Sequence, residues 1–114
     1  KENEDYSPWT ADIKRLSIST VNRNEDAAII EHRLGFGRAV QTLRKHRNLS
    51  QEALALTASI DRSYMGRIER GEQSISLDKI WAICDALEIS ILELFQTALI
   101  EERHLKQQRT TPTA

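Results

Sequence analysis

From residue 24 onward apolar residues recur at helical spacing, and polar residues with capping chemistry cut the pattern into short segments. Asn24 to Leu34 reads as a helix with Glu25 and Asp26 in its first turn, where carboxylates suit the free N–H groups. The pattern predicts a pause at Gly35 or Gly37, then a helix with Phe36, Val40 and Leu43 on one face and a stop at Asn48. Ser50 is placed to N-cap a segment carrying Leu54, Ala55 and Ala58, and Asp61 a second one carrying Met65 and Ile68. Gly71 ends that second segment where a left-handed residue is wanted. Ser76 opens a segment with Leu77, Ile80, Cys84 and Leu87 in register. Ser90 and Glu93 form a capping box for a last helix bearing Ile91, Leu94, Phe95, Ala98 and Leu99. The prediction is all-α, with five helices in the domain that follows the Asn24–Leu34 segment and no internal repeat.

The two ends are less regular. Residues 1–23 hold Trp9, Ile13, Leu16 and Ile18 at mixed spacings after Pro8, which fits a docked strand, a short helix or a mobile arm. Gln107 to Ala114 is polar, contains Pro112 and is expected to be disordered.

Only about one turn, Ala58-Ser59-Ile60, separates the Ser50 and Asp61 segments. Two helices crossing over so short a link describe a helix-turn-helix, whose second helix is free to enter a DNA major groove. The residues also resemble the Cro/repressor (XRE) family of bacterial and phage regulators. Leu49-Ser50-Gln51-Glu52, Leu54-Ala55 and Ile68-Glu69-Arg70-Gly71 stand at the family spacing. Leu43-Arg44 matches the family's first helix, and Ile75-Ser76-Leu77 with Ala86-Leu87 its fourth. Asp61-Arg62-Ser63-Tyr64 is similar to the controller proteins of restriction–modification systems within that family.

The resemblance implies a lambda-repressor-like DNA-binding domain over residues 34–100. An N-terminal extension, partly helical or flexible, takes residues 1–33, and a helix end with a disordered tail takes 101–114. It also implies roles. Arg62, Ser63 and Arg67, at the first, second and sixth positions of the recognition helix, are expected to reach base edges. An arginine there offers paired donors to guanine O6 and N7, worth about 1–3 kcal/mol of discrimination. Gln51 corresponds to a glutamine that binds phosphate at a helix N-terminus and braces the recognition helix. Arg44 and Glu69 correspond to a pair joining the first and third helices, a structural device. Tyr64, Arg70 and Ser74 complete the expected DNA-contacting set. Tyr64 is open to a thymine methyl, a phosphate or a merely structural role.

Three positions depart from the family pattern. Ser59 stands where the tight turn usually has glycine. Gly66 lies inside the recognition helix, where glycine costs roughly 0.5–1 kcal/mol against alanine. Glu72 follows Gly71 where relatives often carry a base for phosphate.

The formal net charge of −1 hides a segregation that matters more than the total. Residues 35–70 hold seven Lys/Arg against three acids, a net of +4, and residues 71–105 hold two against seven, a net of −5. A polyanion meets the first half and is repelled by the second. Enzymatic function is not expected. His32, His46 and His104 are scattered, and neither a Cys/His metal pattern nor a glycine-rich phosphate loop occurs, so no cofactor is expected. Cys84 is alone, fitting a reducing cytoplasm, and its helical register marks a small buried hydrophobe. No run of about 18 apolar residues is present, so no membrane-spanning helix is expected.

One recognition helix contacts too few base pairs for a unique site, so a homodimer reading an inverted repeat of double-stranded DNA is expected. Ile91, Phe95 and Leu99, with Leu105, exceed what one small core needs and are the predicted dimer seam. The acidic surface after Gly71 is a candidate contact for RNA polymerase. The competing reading is an antitoxin or protein-interaction module on the same fold, with the N-terminal extension as its binding element.

Overall fold

The computed structural model describes the backbone of residues 23–110 and the side chains of 26–108. Five helices form there: α1 (Arg23–His46), α2 (Gln51–Ala58), α3 (Arg62–Glu69), α4 (Leu77–Leu87) and α5 (Ile91–Thr110). Each of the last four starts at its cap. The Ser50 hydroxyl accepts from the Ala53 N–H at 3.0 Å, the Asp61 carboxylate from Tyr64 at 3.1 Å, Ser76 from Lys79 at 3.3 Å and Ser90 from Glu93 at 3.0 Å.

The ends of α1 to α4 close alike. A residue with positive φ follows each helix, and the next N–H reaches back to a carbonyl of the last turn: Leu49 to Arg44, Ile60 to Ala55, Glu72 to Arg67 and Ile89 to Cys84. The left-handed residues are Asn48, Ser59, Gly71 and Glu88, so three of the four are not glycine.

The predicted pause at Gly35 or Gly37 does not occur, and α1 runs unbroken for 24 residues. Both glycines serve close approach. A Cβ on Gly35 would strike the Glu102 side chain of α5 and sit 3.0 Å from the Ala98 carbonyl oxygen. One on Gly37 would lie 2.5 Å from the carbonyl oxygens of Ile68 and Glu69, at the end of α3. The small residues let two helices press onto α1, and the helix carries their propensity cost.

The tail also differs from expectation. Gln107 to Thr110 belong to α5. The C-terminal half of that helix lies beside the N-terminal half of α1, where the His32 ring meets the Glu102 carboxylate at 2.9 Å. Packing against a neighbour holds a polar sequence helical that would fray alone.

Leu54, Met65, Ile68, Ile83, Leu87, Leu94 and Val40 are the largest fully buried side chains, and they draw on all five helices. Leu77, expected in the α4 stripe, is instead 65% exposed, and Ile83 takes the buried place beside Cys84 and Leu87. No described helix is long and apolar enough to cross a membrane.

Candidate nucleic-acid interface

The α2–α3 unit is built on its turn. Ser59 takes φ 56° and ψ 43°, and its N–H donates to the Leu56 carbonyl at 3.1 Å. Ile60, buried beneath, fixes the exit of the turn. Serine therefore adopts the conformation glycine favours, at the steric cost of a Cβ in the left-handed region.

Met65, Gly66, Ile68 and Glu69 form the buried side of α3. Arg62 and Ser63 are exposed, and Tyr64 and Arg67 are half-buried at the edge. Gly66 permits close packing: a Cβ there would lie 3.1 Å from Arg70 Nη1 and 3.4 Å from Gln51 Oε1.

Beneath the helix, Glu69 is 3% exposed and its carboxylate receives three N–H donors. Arg44 Nε donates to Oε2 at 2.7 Å, Arg44 Nη2 to Oε1 at 2.9 Å and Gln51 Nε2 to Oε1 at 2.9 Å. The remaining Arg44 nitrogen, Nη1, donates to the Leu49 carbonyl at 3.0 Å. Charge-assisted bonds of this fork geometry are among the stronger ones. They tie α1, the start of α2 and the end of α3 into one unit, so the recognition helix cannot tilt independently.

On the outer surface two arginines meet carboxylates. Arg62 Nε lies 3.4 Å from Glu52 Oε2, and Arg70 donates from Nε and Nη2 to Glu72 at 3.0 and 3.2 Å. The Arg70 bond holds the Glu72 carboxyl below its ordinary range, and Glu72 in turn raises the Arg70 guanidinium. Arg67 instead donates from Nε to Gln73 Oε1 at 3.2 Å, with its guanidinium carbon 5.7 Å from the Tyr64 ring centroid. The Tyr64 hydroxyl donates to the Ser74 carbonyl at 3.0 Å, and the Lys79 ammonium lies 5.5 Å from the same ring.

Arg62, Ser63, Tyr64 and Arg67 thus lie along α3 with Arg70 just after its end, Gln51 stands at the start of α2, and Ser74 is in the loop pinned by Tyr64. The sequence reading missed Glu52, Gln73 and Lys79. Each acts across a turn or loop, where no fixed spacing announces a pair.

The predicted seam residues lie apart from this surface. Ile91 is half-buried, Phe95 and Leu99 are 40% and 59% exposed, and the Phe95 ring packs on Phe36 with centroids 5.7 Å apart. Leu105 lines a different groove, with Ala27, Ile30 and Leu34 of α1. Among the described residues no three His, Cys, Asp or Glu side chains are grouped to hold a metal ion.

A family profile described as helix-turn-helix matches residues 40–94. The control protein C.BamHI of Bacillus amyloliquefaciens is 39% identical over 69 residues, which span 60% of this chain and 85% of that protein. Among solved structures, the restriction–modification controller protein C.AhdI of Aeromonas hydrophila aligns with a TM-score of 0.54 and 44% identity, over 54% of this chain and 94% of its own. The controller protein C.Esp1396I, solved as a tetramer with its natural 35 base-pair operator, shares the fold at a TM-score of 0.59 and 24% identity, covering 63% of this chain and 95% of its own. The chain belongs to the helix-turn-helix family of Cro/repressor-type transcriptional regulators, with restriction–modification control proteins among its relatives.

Proposed function

We propose that this chain is a sequence-specific DNA-binding regulator of the control-protein type, acting in the cytoplasm as a homodimer on an inverted-repeat operator. The observation that carries the reading is an exposed helix face, Arg62 and Ser63 with Arg67 at its edge, mounted on the buried Arg44–Glu69–Gln51 brace. A rigid scaffold under a polar face is what base readout requires, because a bidentate arginine contact discriminates only when its geometry is held.

In this reading residues 34–100 carry DNA binding, and Arg62, Ser63 and Arg67 meet base edges. Gln51, Arg70 and Ser74 serve the backbone around them. The Arg70 and Gln51 side chains both approach Gly66, and Gln51 is the first residue of α2, where free backbone N–H groups suit a phosphate. Ile91, Phe95 and Leu99 form the two-fold seam that sets two α3 helices about one DNA turn apart, roughly 34–36 Å. Asp78 and Asp85 on α4, Glu88 just after it and Glu93 on α5, all exposed, form the acidic surface on which RNA polymerase is contacted.

Binding to the DNA immediately upstream of the protein's own gene tests the reading, beside a scrambled duplex and an Arg62→Ala/Arg67→Ala variant. Binding at least about a hundredfold tighter than to scrambled DNA, and abolished in the variant, is the expected result. Equal weak binding to both duplexes would refute sequence-specific readout.

A further inference from the structure

Two cations share one aromatic ring at the edge of the recognition helix. Arg67 comes from α3 itself, and Lys79 from the first turn of α4, at 5.7 and 5.5 Å from the Tyr64 centroid. Both are within the roughly 6 Å over which a ring face attracts a cation. Among the described residues no carboxylate lies within ion-pair distance of either, whereas Arg62 and Arg70 each have one. The Lys79 backbone is anchored at the start of α4, where its main-chain N–H donates to the Ser76 hydroxyl at 3.3 Å. The connecting loop is held by the bond from the Tyr64 hydroxyl to the Ser74 carbonyl at 3.0 Å.

We propose that Lys79 is a phosphate-contacting residue for the DNA backbone beside the recognition helix, and that Tyr64 is the positioning residue that holds it there. This rests on the DNA-binding reading above. Gathering two like charges on one ring is unfavourable in the free protein and favourable once an anion arrives, and entry of α3 into the major groove brings backbone phosphates along its flanks. The loop after Gly71 carries Glu72, whose carboxylate is engaged by Arg70, so it offers no base of its own next to the helix. Lys79 supplies that charge from the far end of the loop. An ammonium acts as a compact point charge with three donors, which suits a phosphate and reads no sequence. Tyr64 then acts on DNA through its ring face, which orients Lys79, and through its hydroxyl, which sets the distance between α3 and α4.

The test is the salt dependence of binding, between about 50 and 200 mM, to a fluorescein-labelled mixed-sequence duplex of about 30 bp and to the upstream duplex. The slope of log K against log salt is negative, and removing one lysine–phosphate interaction lowers its magnitude by about 0.9. Lys79→Gln is expected to lower it by that amount per bound protomer and to weaken both duplexes alike. Tyr64→Leu is expected to lower the slope equally with Lys79 still present, and Tyr64→Phe, which keeps the ring, to restore most of it. Tyr64→Leu in a Lys79→Gln background is expected to cost no further slope, which separates positioning from a failure to fold. An unchanged slope in Lys79→Gln, with tight wild-type binding, would overturn the phosphate contact and leave the DNA reading standing. A reduced slope in Lys79→Gln but not in Tyr64→Leu would overturn the positioning role. Wild-type protein that binds neither duplex would overturn both readings.

Discussion

Ser59 and Gly71 sit in the same left-handed region, at φ 56° and 73°, yet substitutions at the two are expected to act in opposite directions. For serine the conformation costs about 1 kcal/mol, of which glycine would recover the part not offset by its own unfolded-state freedom. Ser59→Gly is therefore expected to stabilise the fold by about 0.5 kcal/mol and raise Tm by roughly 2–4 °C in a thermal melt. Gly71→Ala adds a Cβ 2.8 Å from Leu34 Cδ2 and 2.9 Å from its Cα, and is expected to destabilise by about 2 kcal/mol or more. Both positions were legible in the sequence, one as a glycine at a helix end and one as the absence of one. Glu88 was not, because nothing in a glutamate marks a positive φ. Its place is held from outside, where Arg47 donates to the Glu88 carboxylate and carbonyl at 2.9 and 3.0 Å. Cys84 is a buried thiol. Burial pushes its thiol above the ordinary range, with Asp85 adding to the shift. Its folded pKa lies above the unfolded one, so the stability it contributes is intact below the unfolded value and disappears as pH rises through the folded one. At pH 8, labelling by iodoacetamide is expected to be at least about tenfold slower in the native chain than in urea.

Between elements, the brace under α3 decides how firmly the recognition helix is held. Removing one partner of a buried ion pair leaves the other charged and unsatisfied, so Arg44→Ala is expected to cost about 3 kcal/mol of unfolding free energy in urea titrations. Gln51→Ala, which removes one of three donors to Glu69, is expected to cost about 1 kcal/mol. Because the two act on one carboxylate, the double variant should depart from additivity. Wild-type stability in Arg44→Ala would show that the fork does not hold the helices. The Arg44–Glu69 pair was foreseen only through the family pattern, since residues 25 apart carry no local signal of contact. The caps were legible directly: Ser50, Asp61, Ser76 and Ser90 act through N–H groups within their own first turns. The unbroken course of α1 was not. Local propensity favours a break at Gly35 and Gly37, and only the arriving backbones of α3 and α5 make small residues there worth their cost. Glu72 occupies the Arg70 guanidinium. Its carboxyl is held below the ordinary range by Arg70, so their bond persists above that lowered pKa and opens as pH falls through it. Glu72→Gln frees Arg70 at neutral pH and is expected to raise affinity for mixed-sequence DNA about two- to fivefold in a gel-shift titration.

The proposed homodimer needs an apolar surface that a second copy can cover. Leu92, Phe95 and Leu99 stand three and four residues apart on α5, at 64%, 40% and 59% exposure, and so form one stripe. Stripes of this kind are how a helix offers a seam to a partner helix, and the composition of α5 made Phe95 and Leu99 legible as surplus to a single core. Leu105 was grouped with them by type but faces the α1 groove instead, because helix direction and packing decide the face that composition leaves open. Phe95 serves two surfaces at once, packing on Phe36 within the protomer, so a charge there would confound folding with association. Leu99 is the cleaner probe. Leu99→Glu is expected to leave the thermal melt of the dilute protomer nearly unchanged while turning a dimer of about twice 13.1 kDa into a single chain by sedimentation at tens of micromolar. The same variant is expected to lose most of its operator affinity with its recognition face intact, because two half-sites read by unlinked protomers forgo the gain in effective concentration. A Leu99→Glu protein that remains a dimer would move the two-fold contact off this stripe. The α1–α5 groove at Ala27, Ile30, Leu34 and Leu105 is then the next apolar surface to test, with Ile30→Glu as its variant.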